Sequence, residues 1–408
     1  MSAISSTRRA FLRASLLSPW GLLLSPSAGH AEEVRGTRAL LCVFLRGAAD
    51  GLNIVVPHAD ADYYRLRPSI AVPRPGERGG ALDLDGRFGL HPRLKPLLSA
   101  YRAGELALLQ AVGSPHPTRS HFEAQDFMET GMVGDRAASR GWLGRYLSNA
   151  PEAEAPLRAV ALSSRAPLAL RGYSDVVATP SLRELGLNAR PELELALREG
   201  FQRLYGGSAP RIADRAALRA LVATETIDRA LRSQRSRARY ARDTQSFADL
   251  ARLIKADVGL RVAWLDLTGW DTHRAQGSVD AGDLPRQLDR LGRGLSALRA
   301  DLGEAFERVV VVVMTEFGRT VKENGTGGTD HGHGSVMLVL GGKVKGGRVL
   351  GDLPALAGDE LYQGRDVPVR IDFRQVLSEI CERHLGVAGA SSLFPGFVPE
   401  GAPSLALL

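Results

Sequence analysis

Val309-Val310-Val311-Val312-Val313-Met314 is an apolar run with no polar member. Valine's branched Cβ favours an extended backbone, and a strand with one wet face would alternate polar with apolar residues. The unbroken run therefore predicts a strand covered on both sides. Other short apolar runs lie at 39–45, 106–112, 158–162, 261–267 and 336–340. Between them, helical periodicity marks 92–102, 120–131, 141–149, 211–257 and 284–307. Strands alternating with helices predict an α/β fold, a mostly parallel sheet flanked by helices. Residues 36–395 read as one domain, with a helical insertion at about 184–255 and a C-terminal tail at 396–408.

The first residues carry Arg8, Arg9 and Arg13 with no acidic side chain before Glu32. Thr7-Arg8-Arg9-Ala10-Phe11-Leu12-Arg13 fits a twin-arginine pattern, and the apolar stretch from Ala14 to Leu24 is too short for a membrane span. Small residues from Ser27 to Ala31 then offer a cleavage site, so 1–31 reads as a twin-arginine signal peptide. The expected partner during export is the twin-arginine translocase, and the expected location is periplasmic or secreted. Net charge falls from +7 to about +4 without the three leader arginines. The remaining arginines are spread along helices such as 229–242 with no basic stripe of interleaved aromatics, which argues against nucleic-acid binding. No second apolar run is long enough to span a membrane, and Cys42 and Cys381 read as buried free thiols.

Ligands of open α/β sheets bind beyond the carboxyl ends of the strands. Four such ends here deliver chemistry. Arg46-Gly47-Ala48-Ala49-Asp50-Gly51 follows the first strand, and Thr118-Arg119-Ser120-His121-Phe122-Glu123 follows the second. Trp270-Asp271-Thr272-His273 follows the strand at 261–267; Thr315-Glu316-Phe317-Gly318-Arg319 and Thr329-Asp330-His331-Gly332-His333-Gly334 follow the valine run. Asp330, His331 and His333 are three possible metal ligands in four residues, with glycine to fold them around one ion. Asp271 and His273 lie two apart, on one side of an extended segment. The plainer readings are a glycine-rich surface turn and an Asx turn with a packed tryptophan. Asp50 is either a ligand or the start of a turn. Ser120 with Glu123 fits a capping box, yet a hydroxyl at a helix N-terminus also suits a nucleophile. Glu316 reads as a metal ligand and Arg319 as an anion contact, or the two as a surface pair.

As a set these motifs resemble exported bacterial proteins of domain-of-unknown-function family 1501, from about Leu40 to Leu385. That family is placed near the alkaline phosphatase and sulfatase superfamily, so the resemblance implies an alkaline-phosphatase-like fold. It further implies that Asp50 is similar to the aspartate after the first strand and Ser120 to the nucleophile. Asp271, His273, Glu316, Asp330, His331 and His333 would supply the metal ligands. The chain departs from the superfamily in three places. Phe317 stands where a ligand is expected after Glu316, Asp271-Thr272-His273 replaces an Asp-x-x-x-His spacing, and Pro115 stands where a sulfatase nucleophile would open its signature. Formylglycine chemistry is thereby disfavoured. The expectation is a metal-dependent extracytoplasmic hydrolase acting on a small phosphate or sulfate ester. One or two divalent ions, zinc or manganese, would be held by the Asp/His/Glu set, Ser120 would be the nucleophile, and Arg319 or Arg119 would meet the anion. The alternative is a non-catalytic metal-binding envelope protein on the same scaffold.

Overall fold

The computed structural model describes residues 36–150, 155–185, 191–206, 212–398 and 404–408. The twin-arginine segment, with Arg8 and Arg9, lies outside the described residues.

The strands are β1 (Ala39–Arg46), β2 (Val55–Val56), β3 (Leu82–Asp83), β4 (Gly89–Leu90), β5 (Leu106–Gly113), β6 (Ala159–Leu162), β7 (Val176–Ala178), β8 (Val262–Thr268), β9 (Val309–Met314), β10 (Ser335–Gly341), β11 (Arg348–Leu350) and β12 (Ile371–Asp372). Nine of them form one sheet in the order β11-β5-β10-β9-β1-β8-β6-β7, with β12 also on β5; β2, β4 and β3 form a small separate sheet. Every pairing in the large sheet is parallel except those of β10, which runs antiparallel to both β9 and β5. That reversal has a local cause. Residues 315–334 leave the carboxyl end of β9 and return directly into its neighbour β10, a hairpin connection rather than a helical crossover. The motif-bearing loop therefore begins and ends at the same rim of the sheet.

The valine run is β9, buried throughout, in the middle of the sheet beside β1. Alternate side chains of β1 enter opposite cores: Leu41, Val43 and Leu45 one, Leu40, Cys42 and Phe44 the other. Helices Gln245–Lys255 and Asp283–Leu302 cover the first face with Phe247, Leu250, Leu288, Leu291 and Leu295, while Trp142–Asn149 and Phe373–Ile380 cover the second. The α/β expectation holds, and the strands expected from the sequence match the observed ones to within about a residue.

The long helical stretches are more broken than their periodicity suggests. Residues 211–257 divide into Ile212–Ser233 and Gln245–Lys255, and the latter is a sheet-covering helix with a buried apolar face. The first helix expected at 92–102 opens as a 3-10 turn, Pro92–Leu97, because Pro96 removes an N–H that an α-helix needs. Among the described residues, no helix is long and apolar enough to cross a membrane.

Candidate metal centre

The rim is built first by backbone. After β1 the chain turns through Gly47 (φ 118°) and Ala48 (φ 59°), both in the left-handed region. A Cβ at Gly47 would stand 2.5 Å from the backbone nitrogen of Asp271, so only glycine lets the β1 and β8 loops meet there. Arg319 locks this junction. Its fully buried guanidinium donates to the carbonyls of Ala48 (2.6 Å), Thr329 (3.1 Å), Trp270 (3.3 Å) and Gly47, and to Asp271 Oδ1 at 2.6 Å. Three loops are thus tied to one side chain. Arg319 is neither a surface partner of Glu316 nor free to meet a substrate anion: burial and five acceptors commit it to positioning Asp271.

Around Asp271 Oδ1 three imidazoles converge. Nε2 of His273 lies 3.1 Å away, and Nε2 of His121 and of His331 each lie 3.6 Å away. The Nε2 atoms of His273 and His331 are 2.9 Å apart. Ligand atoms of His121, Asp271 and His331 all fall within 4.8 Å of one another. The other nitrogen of each ring is already engaged. His121 Nδ1 meets Glu316 Oε1 at 2.8 Å, His331 Nδ1 meets the carbonyl of Arg119 at 2.8 Å, and His273 Nδ1 meets Asp330 Oδ1 at 3.2 Å. A carbonyl and two carboxylates only accept, so each Nδ1 carries a proton, and in the neutral ring each Nε2 then turns a lone pair inward.

The carboxylates stay ionised. Burial works against charge on Glu316, but hydrogen bonds from His121 and Gln125 and backbone amides outweigh it and hold the carboxyl below its ordinary range. Asp271 is likewise lowered, its desolvation outweighed by the hydrogen bond and charge of Arg319. Asp330 is lowered chiefly by the amide of Asn324. Burial first, then neighbouring positive charge, lowers His331 and favours its neutral, ligating form.

This donor set fits a metal ion. With neutral rings, three inward lone pairs stand beside a carboxylate oxygen, and the buried His121 Nε2 has no hydrogen-bond partner. A tetrahedron of ligands roughly 2.0–2.1 Å from a central zinc has edges of about 3.3 Å. Four of the six edges of such a tetrahedron have separations of 2.9 to 3.6 Å here, which bracket that value. The acceptors on each Nδ1 are the outer shell that fixes tautomer and ring angle at metal-bound histidines.

The residues expected from the sequence divide accordingly. Asp271, His273 and His331 meet at the centre. Asp330 and Glu316 stand one shell out, as acceptors for His273 and His121; Glu316 is spent on His121, Gln125, Gly47 N and Thr315. His333 is not brought to the centre, because its ring stacks on Tyr362 at 4.1 Å. Asp50 is not brought there either: it is buried, and its Oδ2 accepts from Arg67 and from Gln276, each at 2.6 Å. Ser120 is exposed between Arg119 and His121, both of which touch the centre. It does not form the expected capping box, since Glu123 instead accepts from Thr118 Oγ1 and pairs with Arg136. His121 was absent from the expected ligands because Ser-His-Phe-Glu reads as a helix start. The available signal was an imidazole at a strand end, as at His273. Phe317, the apparent departure, stacks on His121 (5.0 Å between ring centres) and leans on His331 (5.1 Å), walling the imidazoles off from the sheet.

The sequence profile of a family described as "Protein of unknown function (DUF1501)" matches residues 37–394. The chain belongs to this family. The DUF1501 match spans the sheet, the candidate metal centre and the sheet-covering helices. No curated protein matches the sequence. Solved structures to which this chain is distantly similar include the following three. The lipoteichoic acid synthase LtaP of Listeria monocytogenes shares 8% identity over 78% of this chain and 67% of that one, with TM-score 0.35. A phosphonate monoester hydrolase of Silicibacter pomeroyi shares 11% over 77% and 70%, with TM-score 0.32. The alkaline phosphatase of the Antarctic bacterium TAB5 shares 10% over 75% and 92%, with TM-score 0.29.

Proposed function

We infer that this DUF1501 chain is a metal-dependent hydrolase of phosphate or sulfate esters that works outside the cytoplasm. The observation that carries the reading is the convergence of His121, His273 and His331 Nε2 on Asp271 Oδ1, with every Nδ1 held by an acceptor. These four residues would hold one divalent ion; imidazole with carboxylate suits zinc or manganese. When bound, such an ion polarises an ester oxygen and lowers the pKa of a hydroxyl or water beside it. The chain's own residues supply the rest. Arg319 fixes the Asp271 carboxylate, Glu316 and Gln125 fix His121, and Phe317 excludes water from the inner side. Ser120 is the nucleophile of this reading: an exposed hydroxyl at the helix N-terminus, carrying no cap hydrogen bond that would withhold it. About half of the Asp271 side chain is exposed, which leaves the outer side open to a substrate.

The twin-arginine sequence at Arg8-Arg9 supports export by the twin-arginine translocase, which carries folded chains, so the site would be loaded before crossing. The second reading, a non-catalytic metal-binding envelope protein, is favoured by one feature. Four protein donors suffice to close a tetrahedral structural site.

Two measurements test these readings. Elemental analysis of protein exported from its own host should find one transition-metal ion per chain, and its absence would sink both. Turnover of aryl phosphate and aryl sulfate esters, with Ser120→Ala and His331→Ala, separates enzyme from scaffold. Activity that is lost in both variants supports the mechanism, activity lost only in His331→Ala removes Ser120 from it, and a metal-loaded chain with no turnover favours the scaffold.

A further inference from the structure

The rim of the metal centre carries a second constellation. Arg119 and Arg365 come from loops far apart in sequence, yet both pair with Asp366, whose side chain is fully buried: Arg119 Nη2 at 2.6 Å from Oδ2, Arg365 Nε at 3.0 Å from Oδ1. Both also grip the metal-centre residue His331. The carbonyl of Arg119 accepts from His331 Nδ1, and Arg365 Nη2 donates to the carbonyl of His331 at 2.6 Å. Gln363 Oε1 takes a further bond from Arg119 Nη2 at 2.8 Å. Two guanidiniums share this one carboxylate.

The donors are not used up. Arg119 Nε is buried with no hydrogen-bond partner, as are the Nε atoms of Arg158 and Arg252 elsewhere in the fold. Among the described residues, neither Arg119 Nη1 nor Arg365 Nη1 has a protein acceptor. Ser120 and His121, the next residues, start a ten-residue helix whose N-cap side chain makes no cap bond. A helix N-terminus favours an anion. Arg319 cannot serve here, because its donors already have acceptors.

We propose that Arg119 and Arg365, braced on Asp366 beside the free N-terminus of the His121 helix, form the recognition site for a tetrahedral oxyanion, the phosphate or sulfate group of the ester. Arg365 Nε and Nη2 already lie on Asp366, which leaves the outer Nη1 of each guanidinium to meet an oxygen of such a group. Asp366 keeps both forks pre-aligned, so little side-chain entropy is lost on binding. The inference rests on the reading of the adjacent cluster as a metal centre only for which bond is broken, not for whether the anion binds.

The test uses the full chain loaded with zinc, and the same chain stripped of metal. Inorganic phosphate and inorganic sulfate are titrated calorimetrically into wild type, Arg119→Gln and Arg365→Gln, with acetate as the planar comparison and bound metal measured in each. Arg119 holds His331 through its backbone, so Arg119→Gln leaves that contact in place. The expected result is a ten- to hundredfold weaker affinity for phosphate and sulfate in each variant, about what a lost charged hydrogen bond gives, at unchanged metal content. Arg119→Lys should recover only part of the affinity. Equal affinity in wild type and both variants overturns the proposal, as does acetate binding as tightly as phosphate. A chain that takes up no metal yet binds phosphate through Arg119 keeps this inference and removes the metal centre; a metal-loaded chain whose phosphate affinity ignores both arginines does the reverse. Should a variant lose its ion, the stripped proteins give the same comparison without it.

Discussion

Replacing Arg319 with lysine separates a positioning clamp from a substrate contact. In the folded chain its guanidinium is fully buried and meets four carbonyls from three loops as well as Asp271. A lysine keeps the charge but has a single nitrogen, which cannot reach Ala48, Gly47, Trp270 and Thr329 together. Removing one partner of a buried charged network costs about 3–5 kcal/mol. Half of the Asp271 side chain is in water, so its share is small and most of the loss comes from carbonyls left buried and unpaired. The left-handed Ala48, whose carbonyl and that of Gly47 before it each accept from Arg319, adds strain that would no longer be offset. The net expectation is about 4 kcal/mol, a fall in melting temperature of roughly 5–10 °C for a domain of this size. Metal affinity should fall a further ten- to hundredfold, because Asp271 loses its fixed orientation. Urea unfolding followed by circular dichroism measures the first, and zinc competition with a chromophoric chelator the second. If Arg319→Lys unfolds at the wild-type midpoint and only anion binding weakens, the clamp is refuted and Arg319 faces the substrate after all.

Other consequences follow from the same geometry. Gly332→Ala touches no ligand, yet its Cβ would stand 2.5 Å from the Arg319 backbone, so the His331 loop must shift; zinc affinity should drop at least tenfold, measurable by the same chelator competition. His91 and His384 are both pushed down to about 4, by burial first. Unfolding frees each to bind a proton near 6.5, so stability present above that pH is lost as pH falls towards 4, by up to ~3 kcal/mol per residue. His91 in addition accepts from Arg93 N through Nδ1 and donates through Nε2 to Ser278, a pattern only the neutral ring can make. Melting temperature across that pH range should fall steeply in wild type and less so in His384→Gln. Cys42 and Cys381 are buried and free, with thiols raised by burial, so a thiol reagent should label neither until the chain is unfolded in urea.

The sheet was legible because its signals are local. Five consecutive valines, and the apolar runs of β1, β5, β8 and β10, state burial on both faces without reference to anything distant. The rim was legible too, since ligand-bearing loops follow strand ends in sequence as in space. Individual roles were not. Asp50 and Asp271 look alike as carboxylates after strands, yet Asp50 meets Arg67 in the interior while Asp271 meets open water and three imidazoles. Glu316 and His333 carry ligand chemistry but are turned aside, one to brace His121 and the other to stack on Tyr362.

By itself, then, the sequence determined an α/β sheet, the rim where chemistry gathers, and the residue types available for a metal. Hydrophobic periodicity and strand-end position are properties of neighbouring residues, which is why the chain alone carries them. Only the tertiary structure decided that His121 joins Asp271, His273 and His331, and that Arg319 is a buried clamp while Arg119 keeps free donors. Those assignments depend on which groups from segments more than 100 residues apart consume one another's hydrogen bonds, and that competition is settled by packing in three dimensions.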